Sequence, residues 1–532
     1  MPLFPLLIHG ALAASPSTCA GLETWLDALE TPQRCATMVL MGAWRDAERL
    51  DAETCLSEAL AARGLPSSPL PAWLPPAQGR AMAPKAIRDP YGSPNAQETA
   101  NFVAYWGAEG SMSGGDVTAL LEAFETGWSH HIDTMGMPAP AGSDVYKFNV
   151  YIGDTGSGLP SSYGAGGYYT VDGEGYPMIV VAEASLEDMD WGVTTAVHEF
   201  FHAVQHATGA FGTWAGQWFW EATAVWVEGE VYPEIPYYAA FLYGYAFLPH
   251  LPLSFFDYPD SGTLEESHQY GAFIFPRYLT EIVADWTIIR DAWLDGYGYS
   301  DPLNVLDADL AERGTDLVTV WGDFLAHNTV WDYQDQDIYT WYLDTYDDYF
   351  REEDHRIAHS WYGAGSETWF EVTEVMPQRF GSNTLVLRAP RAGTLHVEFV
   401  GDERGSFDSR AHWVGRVVVD DSGDYTYHTV PIEGVAGELD VPVTGGEDAV
   451  YLVVGATCNQ EEEEESFGFQ ARMWVPDTNG DDTGDSASGD DPESEGSTCG
   501  CGTFEGRPRS LSGVALFGLA ALLALGRARR AV

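Results

Sequence analysis

The sequence predicts an α+β domain followed by an all-β sandwich domain. Two β-rich runs bounded by Gly, Asp and Ser occupy residues 145–152 and 176–181. A helical, aromatic-rich region then extends over residues 191–346. Strands that precede helices in this way are typical of an α+β domain. From residue 367 to 475 the pattern changes to short alternating strands separated by Gly and Asp turns, which predicts a β-sandwich.

Length, composition and charge exclude several classes of protein. The chain has 532 residues, enough for two or three domains. Hydrophobic residues make up 45% and aromatic residues 13%, so the chain can bury a large core and is not globally disordered. Its 80 acidic residues outnumber its 25 basic residues, giving a net charge of −55. Because such a surface repels phosphates, nucleic acid is excluded as the expected partner.

The N-terminal region predicts export. Residues 1–14 form an apolar run that ends in Ala-Leu-Ala-Ala, and we interpret them as a signal peptide; an ordinary apolar N-terminus is the alternative. Residues 15–80 are predicted to be a helical segment and a Pro-rich linker, either a pro-region or a cap packed on the main domain. We expect Cys35 and Cys55 to link two helices, as disulfides do in exported chains. The sequence contains no CxxC pair, which argues against a cysteine-based zinc site.

The C-terminal region predicts attachment to the cell surface. Residues 476–498 form an Asp/Ser/Gly-rich linker, and residues 499–532 carry Cys-Gly-Cys, a short apolar stretch and an Arg cluster. The apolar stretch, residues 511–525, is interpreted as a short membrane-spanning helix whose basic end stays in the cytoplasm. This order resembles the MYXO-CTERM sorting tail of myxobacterial surface proteins. The resemblance implies cleavage by a sorting protease and display on, or release from, the cell surface; a plain membrane anchor is the alternative.

The motif that carries chemistry is an HExxH pattern that begins at His198 and ends at His202, within a predicted catalytic domain at residues 100–350. On a helix, residues four positions apart lie on one face, so the two imidazoles can bind one metal ion. Glu199 lies between them, where a carboxylate can take a proton from water at the metal. The alternative is an amphipathic helix that carries two histidines without a metal.

A catalytic zinc ion needs a third protein ligand. His206 continues the spacing but lies about 12 Å along the helix from His198, too far to share one ion. Glu221 is the predicted third ligand, because it occupies a very apolar segment where an unpaired carboxylate would be costly. Glu228, two turns further on, is the competing carboxylate. The predicted cofactor is one Zn²⁺ ion, whereas no clear motif supports a Ca²⁺ site.

The HExxH pattern, followed after the eighteen residues 203–220 by Glu221, resembles the gluzincin metallopeptidases. The resemblance implies a zincin-like catalytic domain, with His198, His202 and Glu221 as zinc ligands and Glu199 as general base. It also implies an exported zinc endopeptidase that acts on a protein or peptide substrate. Two alternatives stay open at this point, a catalytically inactive surface binding protein or adhesin, and a zinc amidase that acts on cell-wall or other non-protein amides.

Two further residues are candidates for stabilising an oxyanion, as a Tyr or His does in gluzincins. His268 and Tyr270 lie just before an apolar, helix-like segment, and Tyr270 is the preferred candidate. The alternative is that Tyr270 packs in the core. The run at residues 176–181 is predicted to be an edge strand that pairs with an extended peptide substrate, by analogy with the fold alone.

Overall fold

The computed structural model describes residues 19–476, apart from residues 20, 30–32, 64, 66, 70–75, 78–84, 213, 257–262, 300, 374 and 459–464. The α-helices are α1 Glu23–Ala28, α2 Thr37–Arg49, α3 Glu53–Ala62, α4 Gly114–Trp128, α5 Met189–Thr208, α6 Gln217–Val231, α7 Leu242–Ala246, α8 His268–Gly271, α9 Ile274–Tyr278, α10 Thr287–Asp295, α11 Pro302–Glu312, α12 Leu317–Val330 and α13 Gln336–Asp347. Shorter 3-10 helices span Glu183–Leu186, Trp214–Gly216 and Pro236–Phe241, and π-helical turns span Ser129–Thr134 and Leu279–Val283.

The strands fall into a mixed sheet before the helical region and three smaller sheets after it. They are β1 Gln33–Cys35, β2 Asn95–Glu98, β3 Phe102–Trp106, β4 Phe148–Gly153, β5 Ala165–Val171, β6 Pro177–Ala182, β7 His359–Tyr362, β8 Gly365–Val372, β9 Gly381–Arg388, β10 Gly393–Gly401, β11 His412–Asp421, β12 Asp424–Thr429, β13 Ile432–Glu433, β14 Ala436–Val443, β15 Ala449–Thr457 and β16 Phe469–Trp474.

The first sheet has six strands in the order β1-β5-β6-β4-β3-β2. Strands β3, β4 and β6 run parallel to one another, β5 is antiparallel to β6, and β1 is parallel to β5. The prediction that residues 176–181 form a sheet edge is wrong, because β6 lies between β5 and β4. The edge beside β5 is instead covered by β1, a strand of the N-terminal region.

Helices pack on the first sheet and place an aromatic core behind the site described below. Helix α5 contacts α4, α6 and strands β5 and β6. Phe200 of α5 is fully buried, and its ring contacts Phe102 at 5.0 Å, Phe148 at 5.7 Å and Trp128 at 5.9 Å between centroids. Apolar positions at helical spacing therefore hold α5 against strands β3 and β4.

The C-terminal strands form five-, three- and two-stranded sheets, in the orders β13-β14-β10-β16-β8, β12-β11-β15 and β7-β9. Their buried apolar side chains form a second core. Helix α12 packs on β11 and β15, where the Arg416 side chain donates a hydrogen bond to Asp323 at 2.8 Å. The predicted fold class, an α+β domain and then a sandwich, is corrected here. A strand from the N-terminal region completes the first sheet, and the later strands include the parallel pair β7 and β9.

The N-terminal segment, defined here as the described residues of 19–65, contains α1, β1, α2 and α3. A disulfide joins Cys19 to Cys55, with 5.7 Å between their Cα atoms. The predicted Cys35–Cys55 pairing is therefore wrong, because Cys35 lies on β1 and is not in a disulfide. Among the described helices none is both long and apolar enough to cross a membrane. The predicted signal peptide (1–14), apolar helix (511–525) and sorting tail (499–532) lie outside the described residues, as does all but the first residue of the acidic linker (476–498).

Candidate metal centre

Helix α5 positions the two histidines of the HExxH motif. The helix begins at a side-chain cap, in which Asp188 accepts a hydrogen bond from the Asp190 backbone, and ends at Gly209 with a left-handed φ of 70°. His198 and His202 lie one turn apart, with 4.8 Å between ring centroids, and both are fully buried. A single ion can therefore contact both imidazoles.

Helix α6 packs against α5 and brings Glu221 to the same point. One Glu221 oxygen, Oε2, lies 3.2 Å from His198 Nε2 and 3.7 Å from His202 Nε2. Strand β1 adds Cys35 from the other side. Ligand atoms of Cys35, His198, His202 and Glu221 all lie within 4.8 Å of one another, and all four residues are buried. The structure thus brings together the three ligands predicted from sequence, with a cysteine.

Several polar atoms at this point have no hydrogen-bond partner among the described residues. They include His202 Nε2 and one oxygen each of Glu199 and Glu221, all shielded from solvent. Leaving a buried polar atom without a partner costs about 1–3 kcal/mol. A cation between the imidazoles and the carboxylate would satisfy them, so the residues present fit a metal ion.

Hydrogen bonds on the far side of each imidazole orient the ring. His198 Nδ1 lies 2.9 Å from Glu228 Oε1, and His202 Nδ1 lies 2.7 Å from Gln205 Oε1. The Gln205 amide in turn donates to the Trp220 carbonyl at 3.0 Å. That bond fixes its oxygen toward His202, so His202 Nδ1 must donate and Nε2 presents a lone pair to the centre. The competing carboxylate, Glu228, therefore lies behind a histidine and outside the four-residue group.

Burial and neighbouring charges shift the protonation of the metal-free centre. Burial raises the pKa of Glu199, against the effect of the nearby imidazoles. For Glu221 burial acts in the same direction, but the adjacent His202 and His198 outweigh it and hold the pKa at about 2. Burial alone would lower the pKa of His198, yet Glu221 and Glu228 raise it to about 9. In the metal-free centre the positive charge beside Glu221 is therefore carried by a protonated His198, and a metal ion would take that place.

His206 and the two oxyanion candidates, His268 and Tyr270, lie outside the four-residue group. His206 lies one helical turn beyond His202 and is not one of the four clustered residues. Its Nδ1 atom is instead 2.7 Å from the Tyr169 hydroxyl. His268 is buried beside the rings of Tyr245 and Phe255, and it is not one of the four clustered residues. Burial lowers its pKa to about 3, so it is neutral. Tyr270 is buried with its ring 5.3 Å from Phe241.

Sequence reasoning missed Cys35 and the role of Gln205. Cys35 reaches the centre only because β1 pairs with β5, and a three-residue strand is too short to show alternation. Cys35 and His198 are more than 160 positions apart, so no local sequence motif connects them. Gln205 lies three residues after His202 on the same helix face, a spacing that sequence inspection could have related to it.

Comparison with known proteins identifies a family but no activity. The model of the family of unknown function DUF6055 matches residues 72–473, more than half of the chain. The chain belongs to this family. No curated protein matches the sequence. Among solved structures, the chain is similar to a family GH115 4-O-methyl-α-glucuronidase with specificity for decorated arabinogalactans. The two are 10% identical with a TM-score of 0.14, over 55% of this chain and 39% of that one, so this likeness carries no argument about fold or activity.

These findings correct the predicted identity. A zincin-like peptidase fold and zinc endopeptidase activity were expected from the motif and its resemblance to gluzincins. The matching family is of unknown function and no curated protein matches, so neither comparison supports these two expectations, and the zincin-like peptidase assignment is withdrawn. We therefore do not assign peptidase activity, nor the adhesin or amidase alternatives. What the structure shows is a group of four residues able to hold a metal ion.

Proposed function

We propose that this protein holds one zinc ion between Cys35, His198, His202 and Glu221, and that the centre is built for chemistry on water. The observation that supports this most is the convergence of four ligand atoms within 4.8 Å in a fully buried position. Imidazole nitrogen, carboxylate oxygen and thiolate sulfur are the ligands that Zn²⁺ takes in proteins. Calcium and magnesium prefer oxygen ligands, so this donor set disfavours them.

Both histidine ligands have the outer support that zinc sites typically show. Glu228 and Gln205 hold the rings of His198 and His202 by their Nδ1 atoms, and the Nε2 atoms face the centre. Such partners fix the tautomer and raise the basicity of the ligand. Helices α5 and α6 are rigid supports because nearly all of their side chains are buried. The geometry is therefore preorganised for the ion.

Glu199 gives the centre a group that metal binding alone does not require. When bound, zinc would supply Lewis acidity and lower the pKa of water beside it. Glu199 lies on the same helix between the two histidines, and its Oε1 is buried without a partner among the described residues. It is placed to accept a proton from water beside the metal. No substrate and no reaction class are part of this proposal.

Zinc titration of the metal-free full chain tests the proposal. We expect one zinc per chain, at most weak binding for His202→Ala, and unchanged stoichiometry for His206→Ala, a matched control one turn further along α5. Glu199→Gln should also keep one zinc, because Glu199 is not assigned as a ligand. Equilibrium dialysis followed by elemental analysis measures all four proteins. Equal zinc content in the His202 and His206 variants would contradict the proposed site.

A further inference from the structure

The centre is fully buried, and part of its cover comes from Cys35 and Thr37 of the N-terminal segment. Cys35, His198, Glu199, His202 and Glu221 all have 0% of their surface exposed. A substrate from the solvent must be able to reach the centre before Glu199 can act on it. The described conformation gives no such access to Glu199, so the covering element must move if the centre is to act.

The covering element is a strand added to a sheet edge. Strand β1 pairs in parallel with β5, with Gln33 opposite Ala165 and Cys35 opposite Gly167. Gly167 lies tightly against Glu199, since a Cβ atom there would be 3.0 Å from Glu199 Cγ. The missing side chain of Gly167 thus lets β1, β5 and α5 approach closely enough for Cys35 to reach the ligand group. Without β1, the outer side of β5 would be an unpaired edge.

Two side chains of the segment lie on Glu199 itself. The Cys35 thiol is 3.5 Å from Glu199 Oε2, and the Thr37 hydroxyl is 3.3 Å from the same oxygen. Thr37 also accepts a hydrogen bond from the Tyr169 backbone at 2.8 Å, which anchors it to β5. Cys35 lies at the start of α2, where the Thr37 N–H points at its sulfur at 3.4 Å. Burial, with Glu199 and Glu221 nearby, raises the pKa of the Cys35 thiol in the metal-free centre, so a bound cation would be needed to favour the thiolate.

The number of protein ligands indicates a structural zinc site, whereas the presence of Glu199 indicates a catalytic one. A centre with two states would account for both observations. Four protein ligands are typical of a closed, structural zinc site, whereas a catalytic site keeps one position open. A purely structural site has no use for Glu199, an additional carboxylate between its histidines. A reversible fourth ligand reconciles the two observations. Cys35 is the ligand that can be reversible, because it comes from a different segment from the α5 and α6 ligands.

We propose that the N-terminal segment keeps the zinc centre inactive. In this state Cys35 is a displaceable fourth ligand of the zinc ion, and β1 occupies the edge of β5. The inference rests on the proposed zinc function. When the segment withdraws, one coordination position and the edge of β5 become accessible together. The Cys19–Cys55 disulfide lies wholly within the segment, so it ties α1 to α3 without tying the segment to the rest of the chain.

Cobalt substitution of the full chain tests this latency by spectroscopy. Co²⁺ replaces Zn²⁺ in sites of this kind, and a thiolate ligand gives a near-ultraviolet charge-transfer band. We expect the wild-type band to saturate at one equivalent of Co²⁺. Cys35→Ser should lose the band and keep one Co²⁺. Cys458→Ser is the matched control, because within the described residues Cys458 is, like Cys35, a buried cysteine outside a disulfide, and the band of this variant should be unchanged.

Acetohydroxamate, a small metal-binding probe, reports whether a coordination position is open. We expect it to bind the Co²⁺ form of Cys35→Ser at least tenfold more tightly than the wild type or Cys458→Ser. A wild type that takes up one Co²⁺ without the band, or equal probe affinity in all three proteins, would overturn latency while leaving the metal site intact. Failure of every protein to hold Co²⁺ or Zn²⁺ would overturn the proposed function and this inference together. A wild type that takes up one Co²⁺ without the band refutes ligation by Cys35 even if Cys35→Ser does not fold.

Discussion

Replacing Glu228 tests whether the hydrogen bonds behind the histidines contribute to metal affinity. Glu228 Oε1 lies 2.9 Å from His198 Nδ1, and both side chains have 0% of their surface exposed. A buried hydrogen bond to a charged group is worth about 1.5–3 kcal/mol. Because about 1.4 kcal/mol corresponds to a factor of ten, losing it should weaken zinc binding about 10- to 100-fold.

Two substitutions separate charge from the hydrogen bond. Glu228→Gln keeps an oxygen that can accept from His198 but removes the charge, so we expect a loss near tenfold. Glu228→Leu removes both and should approach 100-fold. Glu234→Gln serves as the control, because Glu234 is an exposed residue soon after α6 and its replacement changes the net charge equally. Surface charges of this kind contribute little to a buried site at physiological salt.

Competition with a chromogenic zinc chelator measures these affinities on metal-free protein. The free energy of unfolding of each metal-free variant should be measured alongside, so that loss of fold is not taken for loss of affinity. Zinc affinities of the two Glu228 variants within about twofold of the wild type would refute the reasoning that this carboxylate supports the His198 ligand.

Three further predictions concern packing and the N-terminal segment. Gly167→Ala should destabilise the fold by about 1–3 kcal/mol, because its Cβ would be 3.0 Å from a side chain of α5; Gly173→Ala, with open space around it, should be neutral in the same thermal melts. The double variant Cys19→Ser/Cys55→Ser lacks the disulfide that joins two residues 36 positions apart, so its unfolded segment gains conformational freedom. We expect the N-terminal segment to lose about 4 kcal/mol of local stability, measured by hydrogen exchange. Phe200→Ala should cost about 3–5 kcal/mol in urea unfolding; a loss under about 1 kcal/mol would show that the aromatic core is not as packed as described.

Local pattern was enough to predict which helical residues come together in the four-residue group. The four-residue spacing of His198 and His202 fixes their common face once the segment is helical. Glu221 could be predicted because a carboxylate on so apolar a helix must be compensated when buried. Residues 177–181 of the predicted run 176–181 do lie in strand β6, Pro177–Ala182, since a continuous apolar run suits a strand that is covered on both faces.

What could not be predicted depends on long-range pairing. Cys35 joins the group only through the pairing of β1 with β5, and nothing local marks a three-residue strand inside a helical region. The same pairing turns the expected edge strand β6 into an internal one. The disulfide partner of Cys55 was also wrong, because the connectivity of several cysteines does not follow from their spacing.

Sequence patterns can indicate which residues form a metal site without indicating which reaction the site catalyses. A motif for metal ligands can be assessed from helix geometry and burial, as with His198 and Glu221. The bond that a centre attacks depends on the residues around a bound substrate, and this centre is fully buried in the described structure. The family is of unknown function, so it supplies no substrate either. Release of the segment is therefore the step after which a substrate search is meaningful.

Anomalous diffraction from crystals of the zinc-loaded full chain tests the central claim most directly. Data collected on both sides of the zinc absorption edge locate the ion without assumptions about its ligands. The account predicts one anomalous peak per chain, between the Nε2 atoms of His198 and His202, about 2.0–2.1 Å from each and about 2.3 Å from the Cys35 sulfur. A peak at any other place, or none in crystals whose protein carries one zinc per chain in solution, would contradict it.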